Sequence, residues 1–232
     1  MNVIATLITA IFAYFDSINT PKGVVDKALE LGLAGICCTD HECLSGHVDF
    51  DKLRQYAKDK NSNFKIGLGN EIYLVDKRAT NQRYWHFILI AKDFQGYKAL
   101  RELSSTAWIN SYFDRGMERV PTLKSELEQI ILKYGKGHLI ASSACLGSEL
   151  DYCILEMDKA EKVGNIEGKA EYYYRIVNFV EWCKLLFGND YYFEIQPANT
   201  KEQLIVNRRM KALSDYFKVK IIVTTDAHYL NK

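Results

Sequence analysis

Two short stretches near opposite ends of the chain share one design, an apolar run that ends in a carboxylate beside an imidazole. The first is Gly35-Ile36-Cys37-Cys38-Thr39-Asp40-His41, and the second is Lys220-Ile221-Ile222-Val223-Thr224-Thr225-Asp226-Ala227-His228. A continuous apolar run is how a parallel strand buried on both faces reads, and α/β folds gather their chemistry at the C-terminal tips of such strands. Asp and His at two such tips suit a divalent metal held by imidazole nitrogen and carboxylate oxygen. Three further residues stand at comparable places. Glu71 lies inside the otherwise apolar Gly67-Leu68-Gly69-Asn70-Glu71-Ile72-Tyr73, where a carboxylate is costly to bury unless paired or metal-bound. His86 lies in Tyr84-Trp85-His86-Phe87-Ile88-Leu89-Ile90, and Cys145 in Ser142-Ser143-Ala144-Cys145-Leu146-Gly147. Each has an ordinary reading by itself, as a hydrogen-bonded core histidine or a small apolar cysteine. Together at strand ends they read as a ligand set.

The elements that must position them alternate along the chain. Strands are expected at 3–8, 33–38, 64–75, 84–92, 138–142, 191–196 and 220–224, with a hairpin joining 64–75 to 84–92 through the polar stretch 76–83. Helices are expected from Thr20-Pro21 to about residue 31, where Thr20 caps and Pro21 takes the first helical position, then at 48–60, 94–109, 122–134 and 201–217. Two or three more fill 146–187. The stretch 110–121, with Asp114, Arg115 and Arg119, reads as an irregular loop. Repeated βα alternation implies a parallel sheet or a closed barrel, and about seven strands favour the barrel. No linker-like or low-complexity segment divides residues 1–232, which are therefore expected to form a single domain.

Other chemistries lack their signatures. The pair Gly67-x-Gly69 has neither the third glycine nor the following helix of a phosphate loop, and Ser142-Ser143 lack the strand-turn-helix elbow of a nucleophilic serine. His47 precedes a helix and His138 starts a strand, so both are expected at the surface or in capping roles. Cys37 and Cys38 are neighbours on one strand and point to opposite faces. Tyr172-Tyr173-Tyr174 and Trp182 read as helix-packing aromatics.

The bulk properties are those of an ordinary globular protein. The 232 residues are 48% hydrophobic and 25% charged with a net charge of +1, which gives no sign of a nucleic-acid footprint. Six cysteines show neither CxxC pairs nor a disulfide framework, which points to the reducing cytoplasm. The apolar stretch 3–15 lacks a basic leader and is too short to span a bilayer, so no membrane association is expected.

In order and spacing, several motifs resemble one family. They are Thr39-Asp40-His41, Gly69-Asn70-Glu71-Ile72-Tyr73, His86 followed by Phe87-Ile88-Leu89-Ile90-Ala91-Lys92-Asp93, Gly96-Tyr97, Ser143-Ala144-Cys145-Leu146-Gly147-Ser148-Glu149, Phe193-Glu194-Ile195-Gln196 and Thr225-Asp226-Ala227-His228-Tyr229-Leu230. The chain is similar to the PHP (polymerase and histidinol phosphatase) domain, in the version found at the N-terminus of the bacterial replicative DNA polymerase III alpha subunit. Cys145 in Ser-Ala-Cys-Leu is the most telling element, because stand-alone phosphatases of the family usually carry His there.

The resemblance implies an α/β fold, a distorted (β/α)7 barrel of the PHP type, with up to three metals at the C-terminal ends of its strands. It implies metal roles for Asp16, His41, Glu71, His86, Cys145, Asp226 and His228. Glu71, His86 and Cys145 would form one site, Asp16, His41 and His228 another, and Asp40 would orient a ligand from behind. Glu71 and Asp226 would hold the catalytic metal. Arg115 and Arg119 are candidates to meet substrate phosphate on their position in the loop alone, and a solvated loop is the ordinary reading of both. The departure lies in the first strand, where complete family sites carry His-x-His at the positions of Leu7 and Thr9, or of Ile8 and Ala10 if the match slips by one residue, with the same outcome. Leu cannot ligate a metal and Thr ligates zinc poorly. The expectation is therefore fewer than three divalent ions (zinc, manganese or iron) and a degenerate phosphoesterase site that serves mainly structure in DNA replication. The alternative is an active metal-dependent phosphoesterase or 3′-5′ exonuclease, with a histidinol-phosphatase-like enzyme behind both. Implied partners are the polymerase body of the same protein, DNA reached through that body, and a proofreading exonuclease subunit. The chain ends just after its last strand, as the N-terminal part of a longer polymerase would.

Overall fold

The computed structural model describes residues 7–9 and 19–225. The framework is one curled sheet in the order β1 (Leu7–Thr9), β2 (Gly35–Cys38), β3 (Lys65–Val75), β4 (Trp85–Ala91), β8 (Leu139–Ser142), β9 (Tyr191–Ile195) and β10 (Lys220–Val223). β1, β2 and β3 run parallel, as do β8, β9 and β10, while β4 is antiparallel to both its neighbours. This is a distorted TIM-like half-barrel, and its distortion is local. The hairpin between β3 and β4 omits a crossover helix, so β4 starts at the same end of the barrel where β3 finishes.

Helices pack outside the sheet. α1 (Pro21–Glu30) opens as its sequence dictates, with Thr20 Oγ1 accepting from the Gly23 amide at 3.1 Å and Pro21 at the first position. α1 and α2 (His47–Lys60) cover β2 and the start of β3 through Val24, Val25, Ile36, Phe50 and Phe64. α3 (Phe94–Ile109), α4 (Lys124–Tyr134), α5 (Glu149–Lys162), α6 (Ile166–Phe187) and α7 (Lys201–Phe217) share a larger core centred on Phe87, Leu100, Leu127, Phe179 and Phe193. The segment 146–187 holds two helices, α5 and α6. Among the described residues no helix is long and apolar enough to cross a membrane.

Two local expectations need correction. The stretch 110–121 is not irregular, since β5 (Tyr112–Asp114) pairs antiparallel with β6 (Met117–Arg119). Its two-residue loop places Arg115 at φ 52° and Gly116 at φ 75°. Two left-handed residues are what a tight hairpin turn requires, and Arg at the first of them hides the signal in the sequence. Residues 122–123 are not helical either, because β7 (Thr122–Leu123) pairs with the tip of β3 before α4 begins. The hairpin β5–β6 is tied to the 76–84 connection. Tyr112 Oη donates to the Ala79 carbonyl at 2.8 Å, and Asp114 Oδ2 accepts from the Asn81 amide at 3.2 Å.

Candidate metal centre

The centre is assembled where the tips of β2 and β3 meet the start of β4. His41 sits just past β2, in a parallel bridge with Glu71. The Glu71 amide donates to the Asp40 carbonyl at 3.1 Å, and the Glu71 carbonyl accepts from the Glu42 amide at 2.9 Å. The side chains of Glu71 and Tyr73 share one face of β3, because residues two apart on a strand do. His86 is the cross-strand partner of Tyr73 and joins that face.

Glu71 is 2% exposed and forms the hub. His86 Nδ1 lies 2.6 Å from its Oε1, and His41 Nδ1 lies 3.9 Å away. Cys145, between β8 and α5, brings Sγ to 3.4 Å from His86 Nδ1 and 4.0 Å from Glu71 Oε1. One ligand atom from each of His41, Glu71 and His86 falls within 4.8 Å of the others. The aromatic rings pack closely, with centroids 5.5 Å apart for His41 and Tyr73, 5.1 Å for His41 and His86, and 5.2 Å for Tyr73 and His86. Gly147 makes room for His86, since a Cβ there would meet the imidazole at 2.9 Å.

The described candidates thus converge. His41 stands against Glu71 and His86, the pair from which the family pattern separates it. Asp40 is fully buried, accepts from Cys38 Sγ at 3.6 Å and supports Glu71 through its carbonyl. Asp16, Asp226 and His228 lie outside the described residues. β1 pairs Thr9 with Cys38 and Leu7 with Ile36, so the first strand runs beside the one that delivers His41.

Arg115 and Arg119 are brought together with Arg83, which sequence reasoning passed over. With Tyr73, Gln82, Tyr84 and His86 they line a cleft of about 300 Å³ at the edge of the cluster. Arg119 lies over the Tyr84 ring at 5.2 Å, and Arg83 over the rings of Tyr152 and Trp85 at 4.4 and 4.9 Å. Arg115 pairs with Asp114 at 3.5 Å. A larger cavity, about 570 Å³ between α2 and α3, lies on the outside of the sheet and lacks a ligand cluster.

Two polar residues behave differently from their sequence reading. His47 is buried, not at the surface, because Nε2 is 2.7 Å from the Gly69 carbonyl, and burial lowers its pKa. Glu194 in β9 is another buried carboxylate, contacted by Ser142 Oγ at 2.6 Å, by Thr224 Oγ1 and by Gln196 Nε2 at 3.4 Å. Burial pushes it up to about 7, against the pull of those hydrogen bonds and with help from the nearby Glu71 charge. Its signal was the one that singled out Glu71, a carboxylate inside an apolar strand. His138 holds the half-exposed place expected of it, 2.7 Å from Asp93, which caps α3.

A half-barrel that gathers imidazoles and a buried carboxylate at its strand tips is an α/β barrel with a group that could hold a metal ion. Residues 10–198 match the PHP domain family, and the chain belongs to it. The chain is 38% identical over 227 residues to a DNA-directed DNA polymerase of Bacillus phage SPbeta, and this covers 93% of the chain and 17% of that protein. It is 32% identical over 234 residues to the DNA polymerase III subunit alpha of Aquifex aeolicus, covering 95% and 18%. The chain therefore spans about one sixth of the length of these relatives. The fold is similar to that of a proposed metal-dependent phosphoesterase from Bifidobacterium adolescentis, with a TM-score of 0.53 at 14% identity over 98% of this chain and 89% of that one.

Proposed function

We propose that the chain is the PHP module of a DNA polymerase III alpha-type replicative polymerase, and that it holds divalent metal through His41, Glu71 and His86 with Cys145 alongside. The observation that carries this reading is the approach of two imidazoles to one buried carboxylate, 2.6 and 3.9 Å from Glu71 Oε1. The donor set fits zinc, manganese or iron. A divalent ion there supplies Lewis-acid polarisation of a phosphoryl oxygen and acidifies bound water.

The module's main role in this reading is structural, with weak or no phosphoester hydrolysis, because Leu7 and Thr9 stand where complete sites carry histidines. Residues 1–232 act as one domain at the N-terminal end of a longer cytoplasmic protein. The polymerase body, DNA reached through it and a proofreading exonuclease subunit are its partners. Asp16, Asp226 and His228 complete the donor set, with fewer than three ions bound.

Elemental analysis of protein purified without chelator tests the metal. Bound zinc, manganese or iron is expected, and none bound even after addition of zinc or manganese would sink the reading. A second reading, an active phosphoesterase or 3′-5′ exonuclease, draws on the cleft of Arg83, Arg115 and Arg119 beside His86, where guanidinium groups suit phosphate. Assays on a generic phosphomonoester and on 3′-ended single-stranded DNA decide between them. Metal-dependent turnover lost in Asp226→Asn would overturn the structural role.

A further inference from the structure

The chain leaves the sheet at Glu42, and its side chain replaces the backbone there. The ladder between the His41 tip and β3 carries the Glu71 amide to the Asp40 carbonyl at 3.1 Å, then the Glu42 amide to the Glu71 carbonyl at 2.9 Å. In a parallel ladder the next rung would run from the Tyr73 amide to the Glu42 carbonyl. It does not form. Glu42 stands at φ 51°, a left-handed conformation that side chains with a Cβ disfavour. Its carbonyl turns away to α3, where Trp108 Nε1 donates at 2.8 Å and Ser104 Oγ at 3.4 Å. The Glu42 carboxylate takes the vacated place, with Oε1 accepting from the Tyr73 amide.

That arrangement is an expensive way to make a turn. Glu42 is 3% exposed, and its Oε2 has no hydrogen-bond partner among the described residues. A glycine would take φ 51° without strain. What the carboxylate adds is a tie between two residues that both touch the metal cluster. His41 is its chain neighbour, and Tyr73 stacks on the His41 ring at 5.5 Å with an interplanar angle of 25°.

We propose that Glu42 is a positioning residue of the centre. Its carboxylate closes the rung to Tyr73, so that the His41 turn and the ring stacked on His41 are clamped together and the imidazole is held against Glu71 and His86 before any ligand arrives. The functional meaning of this clamp rests on the metal reading above.

The test uses the full chain with Glu42→Gln, Glu42→Ala and Glu42→Gly. Two readouts are taken: the affinity and visible absorption spectrum of added cobalt(II), and the ring resonances of His41 in metal-free protein by NMR. Glu42→Gln keeps an oxygen acceptor for the Tyr73 amide and should stay within about twofold of wild type. Glu42→Ala and Glu42→Gly lose the rung and should bind about 10- to 100-fold more weakly, as loss of a supporting partner does. Their cobalt spectrum should change and the His41 ring signals should broaden. Should the alanine variant fail to fold, the glycine variant carries the comparison, because φ 51° suits it. Wild-type affinity, spectrum and His41 signals in the variants would overturn the proposal while leaving the metal reading intact. No cobalt binding by wild type, with His41 still broadened in the variants, would remove the metal reading and leave the clamp.

Discussion

Glu71 Oε1 lies 2.6 Å from His86 Nδ1 across the β3–β4 hairpin, and the strand register forces that approach. Tyr73 faces His86, Glu71 faces Ile88, and the side chain of Glu71 lies on the face that Tyr73 and His86 share. The backbone of the same residue is fixed from the other side by hydrogen bonds to residues 40 and 42. It therefore belongs to two ladders at once and has little freedom to move.

That rigidity makes Glu71 and His86 the most sensitive donors. Glu71→Gln or His86→Ala is expected to weaken zinc or manganese binding by more than about 100-fold, beyond the effect of removing an outer partner. A competition titration against a chromophoric chelator measures it. Affinity within about threefold of wild type in both variants would show that the ion binds elsewhere.

Gly147 offers a test that leaves every donor in place. A Cβ at this position would sit 2.9 Å from the His86 ring, and a methyl cannot fit without moving the imidazole off Glu71. Gly147→Ala is expected to cost about 1–3 kcal/mol of stability through overpacking. It should weaken metal binding about tenfold as the ligand is displaced. Urea unfolding and metal titration separate the two effects, and an unchanged affinity would mean that His86 does not ligate.

The framework and part of the centre were readable because they obey local rules. Thr20-Pro21 announces a helix start, and the polar stretch 76–83 between two apolar runs announces a hairpin. Glu71 stands out because an apolar strand rarely carries a carboxylate. What escaped depends on distant partners. Burial of His47 comes from the Gly69 carbonyl 22 residues away. The left-handed Arg115 in the β5–β6 turn is not a residue whose type demands it. The closeness of His41 to His86 exists only once β2, β3 and β4 lie side by side. The carboxylate of Glu42 fills a ladder position that no pattern in the chain reveals.

Glu194 predicts a pH dependence of stability. Its folded pKa, raised by burial to about 7 from an ordinary 4.5, means that the folded state keeps a proton which the unfolded chain has released. The favourable contribution is fully present below about pH 4.5 and is lost as pH rises towards 7, to the extent of about 3 kcal/mol. Urea unfolding of wild type and Glu194→Gln in chelator, from pH 4.5 to 7.5, reads it directly. Wild type should lose stability relative to the variant as pH rises. A flat difference would mean that the hydrogen bonds from Ser142, Thr224 and Gln196 hold the carboxylate ionised.

Metal removal separates a structural ion from an incidental one. An ion that binds only the folded chain adds RT ln(1 + [L]/Kd), about 2.7 kcal/mol when the free ion is at 100 times Kd. For a domain of this size that corresponds to a fall of about 5–10 °C in Tm on chelation. The fall should shrink in Glu71→Gln and His86→Ala, whose donors are already damaged. Leu7→His with Thr9→His restores the residue types that complete family sites carry. If the first strand delivers those side chains to the centre, the double variant should bind more metal and lose more Tm on chelation than wild type. Scanning calorimetry with and without chelator, on all four proteins, gives the comparison. An equal Tm with and without chelator in wild type would remove the structural role of the ion. An unchanged metal content in the double variant would show that Leu7 and Thr9 are not what limits the site.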